Sequence, residues 1–338
     1  MERSSNDESL LDAQQLDRWL VQLGLKPSGS LAIESLLAGR SNEMFILRFD
    51  DRDGVPCEWV LRRPAGVSWE KSEQVLQREY RLLNILSPLD VPTPRIICFC
   101  EDRSVIGVMF YVMEHVAGFT PASGSLPAQF KSSVDLQHAC ARAGLEAVAQ
   151  LHRIDWQAEG LGCYGNPDNF HERQVGRWLS QYEGYQGRPL PGLSTMGRWL
   201  EANLPARWHP TIMHGDYHPL NVLMAPDLPP RVAAIVDWET STIGDPFLDL
   251  VGYLDIWYDV NHDMSTPDYD AMVDHYLTLV DFAPENLTYY RVLYYFRQSV
   301  LLEGIYQRSM SDGTREPMTQ VGDHVDRMIQ RAQTLINA

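Results

Sequence analysis

The residues best suited to chemistry lie in two segments, IMHGDYHPLNVLM (212–224) and AAIVDWETSTIGDPFLDL (233–250). Asp216 stands in a polar stretch before an apolar run, Asn221 follows within the same stretch, and Asp237 closes the next apolar run. One carboxylate can accept a proton from a substrate hydroxyl, while an amide oxygen and a second carboxylate can hold Mg²⁺ against a triphosphate. An isolated Asp or Asn in a loop usually forms a cap or a turn, so it is the joint spacing that points to phosphoryl transfer.

The first of these segments also allows a second interpretation. His214, Asp216 and His218 alternate, so on an extended chain their side chains would point to one side as three metal ligands. No further cluster of ligand-type residues completes a zinc hydrolase pattern, and this interpretation leaves Asn221 and Asp237 without a role. A metal hydrolase is therefore the weaker alternative, and His218 is expected to pack within the loop.

The elements before these segments are mainly β-strands. Apolar residues at helical spacing between 8 and 23 predict a leading helix. Runs rich in β-formers follow, two of them separated by the turn-forming DDRDG, and a helical pattern interrupts them. The later strands and the crossing helix are predicted over 45–49, 58–63, 72–86, 91–100 and 107–116. We therefore expect a five-stranded sheet with one crossing helix.

The composition changes at 117–127, where small residues with Pro and Gly are typical of a hinge. Beyond it the patterns are mostly helical, with short strands near 220–224 and 231–236. Helices are predicted over about 133–153, 171–183, 194–204, 246–258, 268–280, 285–309 and 317–336. The expected fold class is α+β, with a small β-rich N-lobe and a larger, mostly helical C-lobe.

The predicted organisation has three segments. Residues 1–29 form an N-terminal helical extension, 30–116 a nucleotide-binding N-lobe, and 117–338 a C-lobe that carries the catalytic loop and the substrate-binding helices. His152, at the end of a long predicted helix, is expected to satisfy carbonyl groups there. A run of aromatic residues spreads around most of a later helix and is expected to be buried, namely Tyr289, Tyr290, Tyr294, Tyr295 and Phe296.

Taken together, the motifs HGDxxxxN, DW about twenty residues later, and GDPxxDL resemble the aminoglycoside-phosphotransferase and choline-kinase superfamily. GRSNEMFILRF, WVLRRPAG, QREYRLLNIL, VPTPRIICFCED and FYVMEHVAG are similar to the branch whose kinase domain is fused to acyl-CoA dehydrogenases. The resemblance covers about residues 30–255. It implies a bilobal, protein-kinase-like fold and an ATP-dependent kinase that uses Mg²⁺.

The resemblance also implies roles for residues of the C-lobe motifs. Asp216 is the expected catalytic base that orients the substrate hydroxyl, and Asn221 and Asp237 are the expected Mg²⁺ ligands. His214 is expected to hold the catalytic loop by packing and hydrogen bonding, and Asp249 to brace it. The last two are structural supports.

In the N-lobe, the resemblance implies a cation on the third strand that binds the α- and β-phosphates and pairs with a glutamate on the crossing helix. These residues are Arg62 and Glu79, with arginine where the family usually has lysine. Strand alternation places Val60 on the same face as Arg62, over the adenine. The alternative is that Arg62 is a solvated charge on an edge strand.

Two further contacts with the nucleotide are expected. Ser41 lies in GRSN (39–42), between the first two strands, where its hydroxyl and nearby backbone amides could cap a phosphate. The backbone groups of Glu114 and Val116, where the lobes join, are implied to bind the adenine edge. Because backbone atoms would make these contacts, side-chain identity says little there.

The overall composition limits the partners. The 338 residues include 28 Lys and Arg against 45 Asp and Glu, a net charge of −17, which argues against nucleic acid and anionic membranes as partners. The start, MERSSNDESLLD, is acidic and polar, unlike a signal peptide. The five cysteines form no CxxC pair and are expected to be reduced. We expect a cytoplasmic enzyme with a small-molecule partner, and the oligomeric state stays open.

Charge placement bears on the acceptor. Residues 161–210 hold four acidic residues and five arginines, so this segment lacks the acidic wall that a polycationic aminoglycoside needs. The tryptophans and tyrosines among them could grip an apolar chain or an adenine ring. We therefore favour a hydroxylated acyl substrate, and a hydroxyacyl-CoA is the one that the resemblance implies. An aminoglycoside phosphotransferase and a catalytically idle nucleotide-binding relative are the alternatives.

Overall fold

The computed structural model describes residues 11–36, 42–65, 69–311 and 316–338. An antiparallel sheet dominates the N-terminal part, and helices dominate the remainder, which confirms the predicted α+β class. Within the described ranges, no helix combines the length and the apolar character needed to cross a membrane. All five cysteines are free thiols.

The N-terminal part holds a five-stranded sheet, as predicted. In chain order the elements are α1 (Ala13–Gln22), β1 (Ala32–Leu36), β2 (Asn42–Asp50), β3 (Pro56–Pro64), α2 (Trp69–Leu86), β4 (Ile96–Cys100) and β5 (Phe110–Glu114). The strands lie in the order β1-β2-β3-β5-β4, and every neighbouring pair is antiparallel. Met44 and Tyr111 stand opposite Arg62 in the register, so Arg62 lies in the middle of the sheet rather than at an edge.

The leading helix belongs to the core of this sheet. Leu16 and Leu20 of α1 are fully buried and pack in one cluster with Leu47, Leu61 and Phe110 of the strands. Side chains of this kind gain about 1.5–3 kcal/mol each when they are fully buried. The segment predicted as a separate extension therefore contributes a helix to the N-terminal core.

The remainder of the chain is mostly helical. Its elements are α3 (Ala128–Lys131), α4 (Val134–His152), α5 (Glu172–Glu183), α6 (Leu193–Ala202), β6 (Thr211–Met213), β7 (Val222–Met224), β8 (Val232–Ile235), β9 (Thr242–Gly244), α7 (Phe247–Val260), α8 (Tyr269–Leu277), α9 (Leu287–Ser311) and α10 (Thr319–Asn337). β6 pairs with β9 and β7 with β8, both antiparallel. The aromatic run of α9 is buried, as expected.

The described residues form two compact units. The first unit comprises Met1–Thr120 with Val222–Glu239, and the second Pro121–Asn221 with Thr240–Ala338. The boundary at residue 120 falls inside the predicted hinge, but the prediction of an uninterrupted C-lobe did not anticipate that the β7–β8 hairpin groups with the sheet. Backbone hydrogen bonds explain this grouping: the amide of Met224 donates to the Phe119 carbonyl at 2.8 Å, and that of Ile235 to the Pro92 carbonyl at 2.8 Å.

In the second unit, α4 and α7 fix the start of the loop that carries Asp216. The Tyr217 hydroxyl donates to the Gly144 carbonyl at 2.6 Å, and the Tyr253 hydroxyl to the Ala141 carbonyl at 3.1 Å. A Cβ at Gly144 would lie 2.1 Å from the Tyr253 hydroxyl, so only glycine lets α7 approach this closely. The residue next to Asp216 is thus anchored in the helical core.

Candidate active site

The loop that carries Asp216 is held by one buried carboxylate, that of Asp249. Its two oxygens accept hydrogen bonds from the backbone amides of His214 at 2.6 Å and of Gly215 at 2.9 Å. Gly215 has φ +84°, and a Cβ there would lie 2.5 Å from the Thr240 carbonyl oxygen. The structure thus places Asp249 and His214 at the base of the loop, where the sequence expected supports.

His152 completes this support, which sequence reasoning missed. Its Nε2 lies 3.2 Å from Asp249 Oδ2, and its Nδ1 lies 2.7 Å from the Tyr276 hydroxyl. All three side chains are almost fully buried. The sequence analysis assigned His152 to the carbonyl groups at the end of α4, but the structure shows it holding the carboxylate that holds the loop. Its position in AQLHRIDW was the only signal.

The Asp216 carboxylate stays ionised. Burial alone would raise its pKa, but the hydrogen bond from His218 and the charges of His218, Arg297 and His214 outweigh burial and lower the pKa to about 2. Its Oδ2 lies 3.5 Å from His218 Nε2, and its side chain is 36% exposed. The loop therefore presents a charged, accessible carboxylate. His218 acts on Asp216 directly instead of only packing in the loop.

Arg297, on α9, is a second residue that the sequence did not single out. Its Nη2 donates to the Gly215 carbonyl, and its charge contributes to the low pKa of Asp216. It lies far from the motifs in sequence, and no local pattern marks it.

The metal hydrolase alternative is not supported. His214 Nδ1 lies 3.3 Å from the backbone nitrogen of Asp216, so it accepts from the backbone and does not share a ligand position with the carboxylate. Nowhere in the described part of the chain do three or more His, Cys, Asp or Glu side chains converge as a metal-binding group. The HxDxH spacing therefore does not produce a three-ligand site.

Asn221 has the geometry of a potential cation ligand. Its Nδ2 donates to the Asp216 carbonyl at 3.0 Å, which fixes the orientation of the amide and leaves Oδ1 as its acceptor atom. An amide oxygen is the kind of hard ligand that Mg²⁺ accepts.

In the first unit, Arg62 and Glu79 form the ion pair that the sequence predicts. Arg62 Nε lies 3.0 Å from Glu79 Oε2, and its Nη2 lies 2.9 Å from Asp237 Oδ1 and 3.6 Å from Glu239 Oε2. Only 5% of Arg62 and 3% of Glu79 is exposed. The alternative of a solvated strand charge is therefore wrong. We call Arg62, Glu79, Asp237 and Glu239 the arginine–carboxylate cluster.

The arginine–carboxylate cluster has more negative than positive groups. Burial raises the pKa of Glu79 to about 7 against the opposing charge of Arg62. Burial would lower the pKa of Arg62, but the surrounding carboxylates raise it. Even with Glu79 partly protonated near pH 7, Asp237 and Glu239 bring two further carboxylates to one guanidinium, a surplus that a divalent cation can neutralise.

Asp237 is the exposed member of this cluster. Its side chain is 42% exposed, and its backbone has φ 68° in the left-handed region, a conformation that Asp tolerates better than most residues. Arg62 binds its Oδ1, so its other oxygen can serve a cation. Glu239, missed by the sequence analysis, accepts a hydrogen bond from Asn42 Nδ2 at 3.0 Å. Asn42 is the last residue of the GRSN segment.

The structure constrains the expected adenine contacts. The Glu114 amide donates to the Arg95 carbonyl at 2.9 Å, and the His115 amide to the Glu58 carbonyl at 3.3 Å. The Glu114 amide is thus used by the sheet, which leaves its carbonyl for a ligand. Val116 is half-buried. Ser41 lies outside the described residues.

Comparison with known proteins agrees with this geometry. The model of the "Phosphotransferase enzyme family" matches residues 32–286. A "putative aminoglycoside phosphotransferase" from Ralstonia eutropha JMP134 has a similar structure, with a TM-score of 0.80 and 27% identity over 97% of this chain and 98% of that one. This confirms the predicted kinase-like fold and the resemblance read from the motifs.

Two curated relatives belong to the acyl-CoA dehydrogenases by name. Acyl-CoA dehydrogenase family member 10 of Mus musculus is 29% identical over 303 residues, which cover 86% of this chain and 28% of the relative. Family member 11 of Homo sapiens is 28% identical over 315 residues, covering 88% of this chain and 39% of the relative. The chain thus spans about a third of the length of these relatives.

Proposed function

Since the chain belongs to the phosphotransferase enzyme family and is a small-molecule kinase with an alcohol group as acceptor, we propose that ATP is its phosphoryl donor and that Asp216 receives the acceptor hydroxyl. The observation that carries this proposal is the catalytic loop, in which Asp249 fixes the backbone while Asp216 presents an ionised carboxylate. A site of this kind positions a nucleophile without covalent chemistry of its own.

The low pKa of Asp216 suggests when the proton moves. A carboxylate with a pKa of about 2 is a weak base toward an alcohol, so it first accepts a hydrogen bond that aims the hydroxyl oxygen at the γ-phosphorus. The new oxygen–phosphorus bond forms as the bond to the bridging oxygen of ADP breaks. The proton of the acceptor hydroxyl then passes to Asp216, because the attacking oxygen becomes acidic as its bond to phosphorus forms.

The predicted Mg²⁺ ligands each fit the ion within their own unit. Asp237 offers a free carboxylate oxygen beside a surplus of negative charge, and Asn221 offers an amide oxygen whose orientation is fixed. When bound, Mg²⁺ would neutralise charge on the transferring phosphate.

The remaining nucleotide contacts are proposed for the first unit. Arg62 Nη1 lies 4.0 Å from Met44 Sδ, a weak acceptor, so it is the nitrogen best suited to phosphate oxygens. Glu79 would hold the guanidinium in place. The carbonyl of Glu114 and the backbone of Val116 would bind the adenine edge, and Ser41 would cap a phosphate.

For the acceptor we propose a hydroxylated acyl compound, with a hydroxyacyl-CoA as the specific candidate. The charge of Arg297 beside Asp216 supports this choice, and the names of the two curated relatives are consistent with it. A cation beside Asp216 would repel a polycationic aminoglycoside.

A phosphorylation screen tests the donor and the acceptor together. ADP release would be measured with ATP and Mg²⁺ for hydroxyacyl-CoA thioesters and for kanamycin-type aminoglycosides, with Asp216→Asn as the inactive control. We expect turnover of the thioesters that the control lacks. Turnover of the aminoglycosides with none of the thioesters would contradict the acceptor, and no Mg²⁺-dependent ADP release from any hydroxyl compound would contradict the function.

A further inference from the structure

The arginines of the second unit fall into two groups. In the first group, arginines pair with carboxylates: Arg188 lies 3.1 Å from Glu303 and 2.9 Å from Asp326, and Arg207 lies 3.1 Å from Glu285. These side chains are explained by the fold itself, because each has an anionic partner within the protein.

The second group has no such partners. In the parts of the chain that the structure describes, Arg173 and Arg177 of α5 and Arg297 of α9 have no carboxylate within 4 Å. Arg173 Nε donates to the Asn169 carbonyl at 3.0 Å. The Nε of Arg297 is buried without a hydrogen-bond acceptor.

Arg177 and Arg297 are brought together by one aromatic ring. Their guanidinium carbons lie 5.0 Å and 5.7 Å from the ring centroid of Trp178, which is almost fully buried. Burial and the charges of Arg297 and Arg173 lower the pKa of Arg177, so the three cations repel one another. A bound anion would relieve this repulsion.

The cluster adjoins the catalytic loop. Arg297 donates to the Gly215 carbonyl, and its charge is one of those that lower the pKa of Asp216. Arg177 is partly exposed, so the cluster opens to solvent. An anion bound here would therefore lie close to the carboxylate that receives the acceptor.

We propose that Arg177 and Arg297, with Arg173 beside them, form a binding site for an anionic group of the acceptor molecule, a phosphate or a carboxylate. This inference rests on the proposed function, since it assigns the anion to the acceptor. The planar guanidinium binds either group through two parallel hydrogen bonds, and the indole of Trp178 holds both guanidinium groups in place.

Direct binding tests this site without any reaction. Calorimetric titration of the full chain, without ATP or Mg²⁺, would compare coenzyme A with pantetheine, which lacks its phosphates, and hydroxybutyrate with butanediol, which lacks the carboxylate. We expect an anionic probe to bind at least tenfold more tightly than its neutral counterpart. The pair that shows this difference identifies the anion as phosphate or carboxylate.

Substitution of Arg177 provides the decisive arm. Arg177→Gln should weaken the preferred anionic probe at least tenfold and leave its neutral counterpart unchanged, and Arg177→Lys should lose less because it keeps the charge. Arg198→Gln is the matched control, because Arg198 is exposed on α6 and its side chain contacts Thr195. Equal affinity of the Arg177→Gln variant and the unmodified chain for both anions, or no binding of either anion, would overturn the proposal.

A kinase assay on the same preparations separates this site from the proposed function. If Arg177→Gln loses anion binding but the unmodified chain transfers phosphate to no hydroxyl compound, the anion site is supported and the proposed kinase function is contradicted. If Arg177→Gln transfers phosphate with an unchanged KM for anionic acceptors, the kinase function is supported and the anion site is contradicted. A raised KM for anionic acceptors, with an unchanged KM for ATP, is the result we expect.

Discussion

Each unit of this kinase holds a buried charge at its candidate site residues, Asp249 in one and Arg62 in the other, and the two charges are compensated in different ways. Asp249, in the second unit, uses its oxygens to bind two backbone amides and His152, so the protein itself satisfies it. Arg62, in the first unit, faces three carboxylates and lies in a region of surplus negative charge. Asp249 with His152 and the two backbone amides, which we call the scaffold, is therefore complete without ligands. The arginine–carboxylate cluster would be completed by a bound cation.

The largest expected effect falls on the residue that the scaffold presents. Asp216→Asn should lower kcat by roughly 10²–10⁴, because the amide cannot take the hydroxyl proton, while nucleotide affinity stays nearly unchanged. Steady-state kinetics and nucleotide titration measure the two quantities. Asp227→Asn, a surface carboxylate paired with Arg231, is the control that should behave as wild type. A kcat of the Asp216→Asn variant near that of the control would remove Asp216 from the mechanism.

Asp249→Asn tests whether the scaffold is complete without ligands. The amide can accept only one of the two backbone hydrogen bonds well and turns a donor toward the other amide, so we expect a loss of about 2–3 kcal/mol in the free energy of unfolding. Urea unfolding without ligands measures this loss. If the variant lost stability only in the presence of nucleotide, the comparison with the arginine–carboxylate cluster would fail.

Asp237→Asn tests the opposite property of the arginine–carboxylate cluster. The substitution keeps a residue that tolerates the left-handed backbone and removes the exposed carboxylate, so unliganded stability should change little. Stabilisation by Mg²⁺ and ATP should fall, with an apparent affinity at least tenfold lower, since a hard-oxygen ligand is lost. Thermal unfolding with and without Mg²⁺ and ATP measures both. An Mg²⁺–ATP shift equal to that of the unmodified chain would argue against the ligand assignment.

The sequence predicted most of the elements because local signals mark them. α4 was expected over 133–153 and is found at Val134–His152, where Ser133 caps the first turn by accepting from the Leu136 amide. The Arg62–Glu79 ion pair that the resemblance implies is present, whereas the catalytic role of Asp216 stays a prediction. Strands β6 and β9, three residues each, are too short for an alternating pattern and were not expected.

The unpredicted features depend on contacts between distant residues. The β7–β8 hairpin joins the first unit through backbone bonds to Phe119 and Pro92, which no side-chain pattern encodes. His152 contacts Asp249, and Arg297 contacts the loop that carries Asp216, both from helices far away in sequence. Periodicity shows which face of a helix is buried, but not which polar group on that face meets the site.

Tyr276→Phe tests whether the scaffold around Asp249 includes the Tyr276 hydroxyl. Its expected effect on stability and kcat is the smallest of the four. The variant keeps the buried ring and removes the hydroxyl that binds His152 Nδ1 at 2.7 Å, which should cost about 1 kcal/mol of stability. Tyr289→Phe is the matched control, because it also loses one buried hydroxyl contact with a histidine, His171, but does not touch His152. We expect similar losses of stability in both variants and a kcat lowered a few-fold only in Tyr276→Phe, since His152 then orients Asp249 less firmly. Equal kcat values in the two variants would confine the scaffold to Asp249 and His152 themselves.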